Sequence, residues 1–243
     1  MVRLEVRDHV AWLTLDRPPL NILDIPLNRE LASCVRSLAG RADVRVVALR
    51  GASGAFSAGV QIEDHAPSRV AAMLEAFHGV FRAFVELGRP LIAVVDGPAL
   101  GGGCELAVFA DACWASESST FGFPEIRLGC FPPVAALVLP AVVGAHRAAE
   151  LMLTGETISA ERAREIGLVN EVGGSAEEFV GKFAHWSGAA LSLAREAAFD
   201  RGEFLRQLPR VEALYLERLM ATHDASEGIA AWAEKRDPRW QDR

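Results

Sequence analysis

Two glutamates stand in surroundings that suit proton transfer. Glu105 lies in Gly101-Gly102-Gly103-Cys104-Glu105-Leu106-Ala107, and Glu125 in Thr120-Phe121-Gly122-Phe123-Pro124-Glu125-Ile126-Arg127-Leu128-Gly129. Three consecutive glycines between a strand and a helix remove side chains and leave free N–H groups at the helix start. The partial positive charge there suits an oxyanion or a phosphate. GxGxxG is absent and no Gly-Lys-Ser/Thr follows, so phosphate binding is the weaker reading and an amide-lined oxyanion hole the better one. A lone Glu in a first helical turn is ordinarily a dipole-stabilised surface carboxylate. The apolar Gly-Cys-Glu-Leu-Ala setting argues instead for burial, which a carboxylate needs a reason to accept. Glu125 is flanked by aromatic and aliphatic residues, and an apolar pocket would raise its pKa toward neutrality. A salt bridge to Arg127 or another neighbour explains it equally well. A third segment, Phe56-Ser57-Ala58-Gly59-Val60-Gln61, follows a strand, and its small residues either expose backbone N–H groups or simply make a strand-to-helix turn.

Competing chemistries are poorly represented. There is no Gly-x-Ser-x-Gly nucleophile elbow. The single tyrosine, Tyr215, falls in a helical tail. Of the six histidines, His78 reads as a structural residue beside a helix stripe, while His65 could line a pocket. Cys34, Cys104, Cys113 and Cys130 form no CxxC pair, so neither a zinc site nor a disulfide framework is expected, and the cysteines read as small buried hydrophobes.

These residues need elements to hold them. Leu4–Arg7 and Val10–Leu15 read as a hairpin turning at Asp8-His9. Arg17-Pro18-Pro19-Leu20-Asn21 must be irregular, because proline blocks regular pairing. A helix follows over about 26–38. Buried-type strands are expected at Val44–Arg50, Pro90–Asp96 and Asp111–Ser116, each of the first two leading into a small-residue loop. The clearest amphipathic helix spans Arg69–Leu87, with Val70, Met73, Leu74, Phe77, Phe81 and Phe84 on one stripe and Ser68 as candidate cap. Beyond about Asn170 the strand signal fades, and Ala176–Phe199 and Pro209–Lys235 read as helices. Repeated strand–loop–helix units imply a mixed α/β fold followed by a helical cap or assembly region.

Composition narrows the function. The 243 residues suit one compact domain, 51% of them hydrophobic and 23% charged. A net charge of -7 argues against a nucleic-acid partner, since phosphate binding wants a basic face. No stretch reaches the roughly 18 apolar residues of a membrane helix. The start of the chain is charged and strand-like rather than leader-like, so a cytoplasmic location is expected by default.

Taken together and in order, the segments resemble the enoyl-CoA hydratase/isomerase (crotonase) superfamily. The resemblance is carried by Arg17-Pro18-Pro19-Leu20-Asn21, Ala58-Gly59-Val60, the Gly101–Ala107 and Phe123–Gly129 runs, Leu153-Thr154-Gly155, Gly167-Leu168-Val169-Asn170 and Glu234-Lys235-Arg236. It implies a spiral of ββα units over residues 1–190 and a C-terminal helical trimerisation region over 191–243, with trimers often paired into hexamers. It also implies an oxyanion hole from the N–H groups of Val60 and Gly102, holding a thioester oxygen as it becomes enolate-like. Glu105 would deprotonate the water that attacks the β-carbon, and Glu125 would deliver a proton to the α-carbon. Leu20, Ala58 and Gln61 would face the nucleotide of coenzyme A, and Lys235 a CoA phosphate. Coenzyme A enters as part of the substrate, so no separate cofactor and no metal is implied. With both carboxylates present, the resemblance favours a lyase that hydrates a 2-enoyl-CoA thioester, or dehydrates in reverse. Double-bond isomerisation or other acyl-CoA chemistry on this scaffold is the first alternative, and a non-catalytic CoA-binding subunit the second.

Two positions depart from the family pattern. Gln61 replaces a usually acidic residue, which should alter a loop hydrogen bond rather than the chemistry. After Gly129, a Gly-rich run is replaced by Cys130-Phe131-Pro132-Pro133-Val134-Ala135, so Phe131 and Pro132 should form a stiffer acyl-pocket wall. This wording, with Pro19-Leu20-Asn21-Ile22-Leu23-Asp24, is similar to hydratases of cyclic dienoyl-CoA esters, the cyclohexa-1,5-diene-1-carbonyl-CoA hydratase-like subgroup. Phe121, Phe123 and Phe131 could flank a flat ring, but aromatic residues are equally good core filler.

Overall fold

A computed structural model describes residues 1–198 and 200–243. Among the described residues, nine strands are laid down in chain order: β1 Val2–Arg7, β2 Val10–Leu15, β3 Val46–Gly51, β4 Leu91–Val95, β5 Pro98–Leu100, β6 Ala112–Ala115, β7 Thr120–Gly122, β8 Thr157–Ser159 and β9 Glu171–Val172. They form two sheets. The larger has the order β1-β2-β3-β4-β6-β9 and the smaller β5-β7-β8. The β1–β2 pair is antiparallel and turns at Asp8 and His9, both with positive φ. From β2 onward the larger sheet is parallel. Parallel strands buried on both faces read as continuous apolar runs rather than alternating ones. That is why β2 and β4 are buried along their whole length.

Four helices frame the front half: α1 Ile25–Arg36, α2 Val70–Leu87, α3 Gly102–Phe109 and α4 Pro133–Val143. Asp24 caps α1 by accepting from the Leu27 N–H at 2.9 Å. Ser68 does not cap α2. That helix begins after Arg69, which has no capping side-chain bond and whose guanidinium instead grips buried Asp64 at 2.6 Å. The α2 stripe enters the core, where Phe77 meets Phe81 edge-on at 5.0 Å and Phe81 meets Phe109 at 4.9 Å. Every residue of α3 is buried, an all-apolar environment that would normally exclude Glu105.

The helical tail differs from the expectation of two long helices. After α5 Ala145–Thr154 and α6 Ala160–Glu165, the chain forms α7 Ala176–Ala184, α8 Gly188–Ala198, α9 Arg201–Ala213 and α10 His223–Ala233. His185-Trp186-Ser187-Gly188 breaks the first expected helix, and its expected end at Phe199 lies outside the described residues. The second starts eight residues early and carries Pro209 inside it. It then passes through a π-helical stretch, Leu214–Leu219, and stops at Thr222, whose hydroxyl caps α10. The expected division between residues 190 and 191 falls inside α8. Phe204 and Leu208 of α9 join the main core, and a buried cluster ties the tail down. In it, Asp111 accepts from Arg195 at 2.6 Å and from Arg201 at 2.9 Å. No helix among the described residues is long and apolar enough to cross a membrane.

Candidate active site

Three loops converge at the carboxyl ends of β3, β5 and β7. Asn21, fully buried with φ 52° in the loop after β2, ties that loop to the one after β3. Its Nδ2 donates to the carbonyls of Ala52 at 2.9 Å and Ala55 at 2.7 Å, and its own carbonyl accepts from the Ser57 hydroxyl at 2.9 Å. Ala58 N–H donates to the Leu20 carbonyl at 2.9 Å, Leu23 N–H to Gly59 and Gln61 N–H to Leu23. In this parallel bridge between Leu23 and Val60, the flanking residues make the bonds, so the Val60 N–H points the other way. On that other side lies the glycine turn. Leu100 N–H donates to the Ser57 carbonyl at 2.9 Å. A Cβ on Gly103 would lie 2.4 Å from that same carbonyl, and one on Gly59 would lie 3.4 Å from the Gly102 nitrogen. Only glycine permits this approach, and it brings the Val60 segment against the start of α3, where a Cβ on Gly102 would lie 2.7 Å from the Val60 side chain. Gly102 is the first residue of α3, so its N–H has no intrahelical acceptor.

Glu105 follows one turn later. Only 2% of it is exposed, and its Oε1 accepts from Val134 N–H at 2.7 Å and Ala135 N–H at 2.9 Å. These are orphan donors of the first turn of α4, so the carboxylate serves as a remote cap for a helix whose own first position is Pro133. The Phe131-Pro132-Pro133 segment therefore does more than stiffen a wall: it aims a helix N-terminus at the base. Burial raises the Glu105 pKa to about 7, against the opposing pull of the two amides.

Glu125 comes from the short helical turn Pro124–Leu128, closed by Gly129 at φ 66°. The Gly101 N–H donates to the Gly122 carbonyl at 2.9 Å and fixes this turn over the glycine run. A Cβ on Gly101, whose φ is +51°, would lie 2.9 Å from Glu125 Oε1. The residue is partly exposed, but its Oε2 is sealed from solvent and has no partner among the described residues. Burial, then repulsion from Glu105, holds the Glu125 carboxyl well above the ordinary range. Neither bland alternative survives: Glu105 is not at the surface, and among the described residues Glu125 makes no salt bridge to Arg127 or to any other neighbour. The two acids share one cavity, and burial raises the proton affinity of both, with repulsion from Glu105 adding to the rise at Glu125.

The cavity has a volume of about 80 Å³ and is lined by Ala58, Val60, His65, Gly102, Glu105, Glu125, Phe131 and Tyr215, among others. His65 is 7% exposed and its Nδ1 faces the carbonyls of Gln61 and Ile62 at 3.2 Å. Pro132 is buried at the N-cap position of α4 and, against expectation, is not one of the lining residues, a place Pro133 takes instead. Leu20 is exposed at 43% outside the cavity, with its carbonyl held by Ala58. Gln61 turns its amide to Glu63. Lys235 lies exposed beyond α10. A larger cleft of about 1150 Å³ opens between Arg45, Arg89 and Arg195 at the opposite, amino ends of β3 and β4, remote from both glutamates.

A family model described as enoyl-CoA hydratase/isomerase matches residues 5–243. The chain belongs to this family. It is 35% identical to a cyclohexa-1,5-dienecarbonyl-CoA hydratase of Thauera aromatica over all of this chain and 96% of the relative. It is 34% identical to a 2,3-dehydroadipyl-CoA hydratase of Escherichia coli over 98% of this chain and 97% of the relative. The crystal structure of a carnitinyl-CoA hydratase from Mycobacterium avium superposes with a TM-score of 0.89 at 28% identity, covering 100% and 98% of the two chains. The enoyl-CoA hydratase/isomerase fold is thus shared along the whole chain.

Sequence reading missed three residues of this site. Asn21 carried a warning, since a polar residue following two prolines in a loop is a candidate for backbone satisfaction. Phe77 was read as core filler, yet it also lines the cavity. Tyr215 gave no local signal, because only the folding of the tail over the Glu125 turn brings it near. There Gly228 of α10 sits so close that a Cβ would lie 2.3 Å from the Leu128 carbonyl.

Proposed function

We propose that this member of the enoyl-CoA hydratase/isomerase family is a lyase that adds water across the double bond of a 2-enoyl-CoA thioester. The observation that carries this reading is the pair of glutamates with raised proton affinity that share one cavity with Val60 and with Gly102 at the start of α3. The amides of Val60 and Gly102 would hold the thioester oxygen, each worth a few kcal/mol of barrier. Ionised Glu105 takes a proton from water as the oxygen bonds to the β-carbon. The electron pair of the double bond moves toward the thioester oxygen, and protonated Glu125 then delivers its proton to the α-carbon. A proton passes back from Glu105 to Glu125, which resets the site.

The acyl group in this proposal is compact and flat, in the class of a cyclic dienoyl ester. Rings of Phe77, Phe131 and Tyr215 wall the cavity, which has room for on the order of six waters at about 10–15 Å³ each. The CoA moiety would run over Leu20, Ala58 and Gln61, with Lys235 at a phosphate. CoA is supplied by the substrate and no other cofactor is needed. The division into a core over 1–190 and a helical region over 191–243, assembly as a trimer or hexamer and a cytoplasmic setting are part of the same proposal. Incubation with linear and cyclic enoyl-CoA esters, followed by mass, tests it. A gain of one water is expected. A product of unchanged mass with a shifted double bond would replace hydration by isomerisation.

A further inference from the structure

The tail delivers one polar group to the cavity that the two-carboxylate scheme does not use. Tyr215 is 1% exposed, its ring meets Phe131 at 5.2 Å and 63°, and both line the cavity with Glu105 and Glu125. It sits in the π-helical stretch, where its carbonyl accepts from Met220 N–H at 3.0 Å, five residues on. Such single-turn irregularities recur where a helix must turn a side chain toward a site. The phenol hydroxyl rests against the Cys130 thiol, a weak acceptor that it can leave at little cost. Among the described residues, the polar side chains lining the cavity are His65, Glu105, Glu125 and Tyr215. His65 faces backbone carbonyls with its Nδ1, and the two glutamates exchange protons. The tyrosine is therefore left as the neutral donor.

We infer that Tyr215 is a further catalytic residue: its hydroxyl donates a hydrogen bond to the oxygen that adds at the β-carbon, holding first the attacking water and then the product hydroxyl. This rests on the hydration reading above. Tyr215 keeps its own proton throughout. The water proton goes to Glu105, the new C–O bond forms at the β-carbon, and the α-carbon proton comes from Glu125. Burial favours this assignment, since it holds the phenol well above its ordinary pKa and keeps it a donor at working pH.

The test uses Tyr215→Phe, which keeps the ring packed on Phe131 and removes only the hydroxyl. Hydration kinetics should show kcat reduced about 10- to 100-fold, the value of a hydrogen bond to a group developing charge. KM should stay within about threefold. Because the chain has one tyrosine, a 13Cζ-tyrosine label yields a single resonance. It should move on addition of a 3-hydroxyacyl-CoA and stay in place with the saturated acyl-CoA that lacks the hydroxyl. A Tyr215→Phe enzyme at wild-type kcat, or a resonance that responds equally to both esters, overturns the role of Tyr215 and leaves hydration standing. A wild-type protein that binds these esters but hydrates none overturns hydration itself, and this role with it.

Discussion

Replacing Glu105 with Gln should separate the chemical cost of this site from its structural one. The amide keeps an oxygen that can accept from Val134 and Ala135 N–H, so the remote cap on α4 persists, while the base is lost. Removal of a positioned general base costs about 10²- to 10⁴-fold in kcat. Stability should move the opposite way. The Glu105 carboxyl shifts from an ordinary 4.5 to about 7 on folding, and each tenfold change in protonation is worth about 1.36 kcal/mol. The folded state therefore holds the protonated form preferentially. Below pH 4.5 the group is protonated folded or unfolded and costs nothing. As pH rises from 4.5 to 7 the unfolded chain ionises first, and the folded state loses about 3 kcal/mol, a loss complete above pH 7. The amide of the Glu105→Gln variant cannot ionise and escapes this loss. Urea denaturation of both proteins from pH 4 to 8 should show the variant gaining on wild type by about 3 kcal/mol across that interval. A stability difference that stays flat with pH would refute the claim that burial dominates the Glu105 equilibrium.

Hydration by the wild type should fall as pH drops below about 7, because Glu105 must be ionised to accept a proton; a kcat profile flat between pH 5 and 8 would contradict this. Glu125→Gln should lose activity by about 10²-fold or more while still binding acyl-CoA, as checked by calorimetry with a saturated ester. In Gly103→Ala the new methyl would meet the Ser57 carbonyl at 2.4 Å, forcing apart the loops that carry Val60 and Gly102. A kcat loss of roughly 10²-fold or more, with KM less affected, is the expected reading. Asp111→Ala should cost about 3–5 kcal/mol of stability by stranding the buried guanidinium of Arg195, seen as a lower denaturation midpoint, with unchanged kcat in the folded fraction.

Much of the fold was legible locally. The hairpin, the three parallel strands at 46, 91 and 112 and the α2 stripe appear within a residue or two of their expected limits, because each is decided by its own apolar pattern and turn residues. The three-residue strands β5, β7 and β8 were not legible, since so short a pairing depends on what lies beside it. The tail was half legible: its helical character was plain, but the breaks at Ser187-Gly188 and Thr222 and the π-helical stretch come from packing against the core and the Glu125 turn. Within the site, the glycine run, Glu105 and Glu125 could be singled out by type and setting alone. Their meaning could not, because a buried and an exposed glutamate look alike in a sequence.

What the sequence determined by itself was the set of local devices: small residues behind two strands, a helix start without side chains, and carboxylates in apolar runs. Only the tertiary structure decided that Asn21 and Gly103 bring their own segments onto the loop after β3, that the first amides of α4 grip Glu105, and that Glu125 Oε2 is left without a partner among the described residues. The physical reason is that burial and proton affinity are properties of surroundings, supplied here by residues from 20 to 30 or more positions away, and for Tyr215 by a tail some 90 positions beyond the turn it covers.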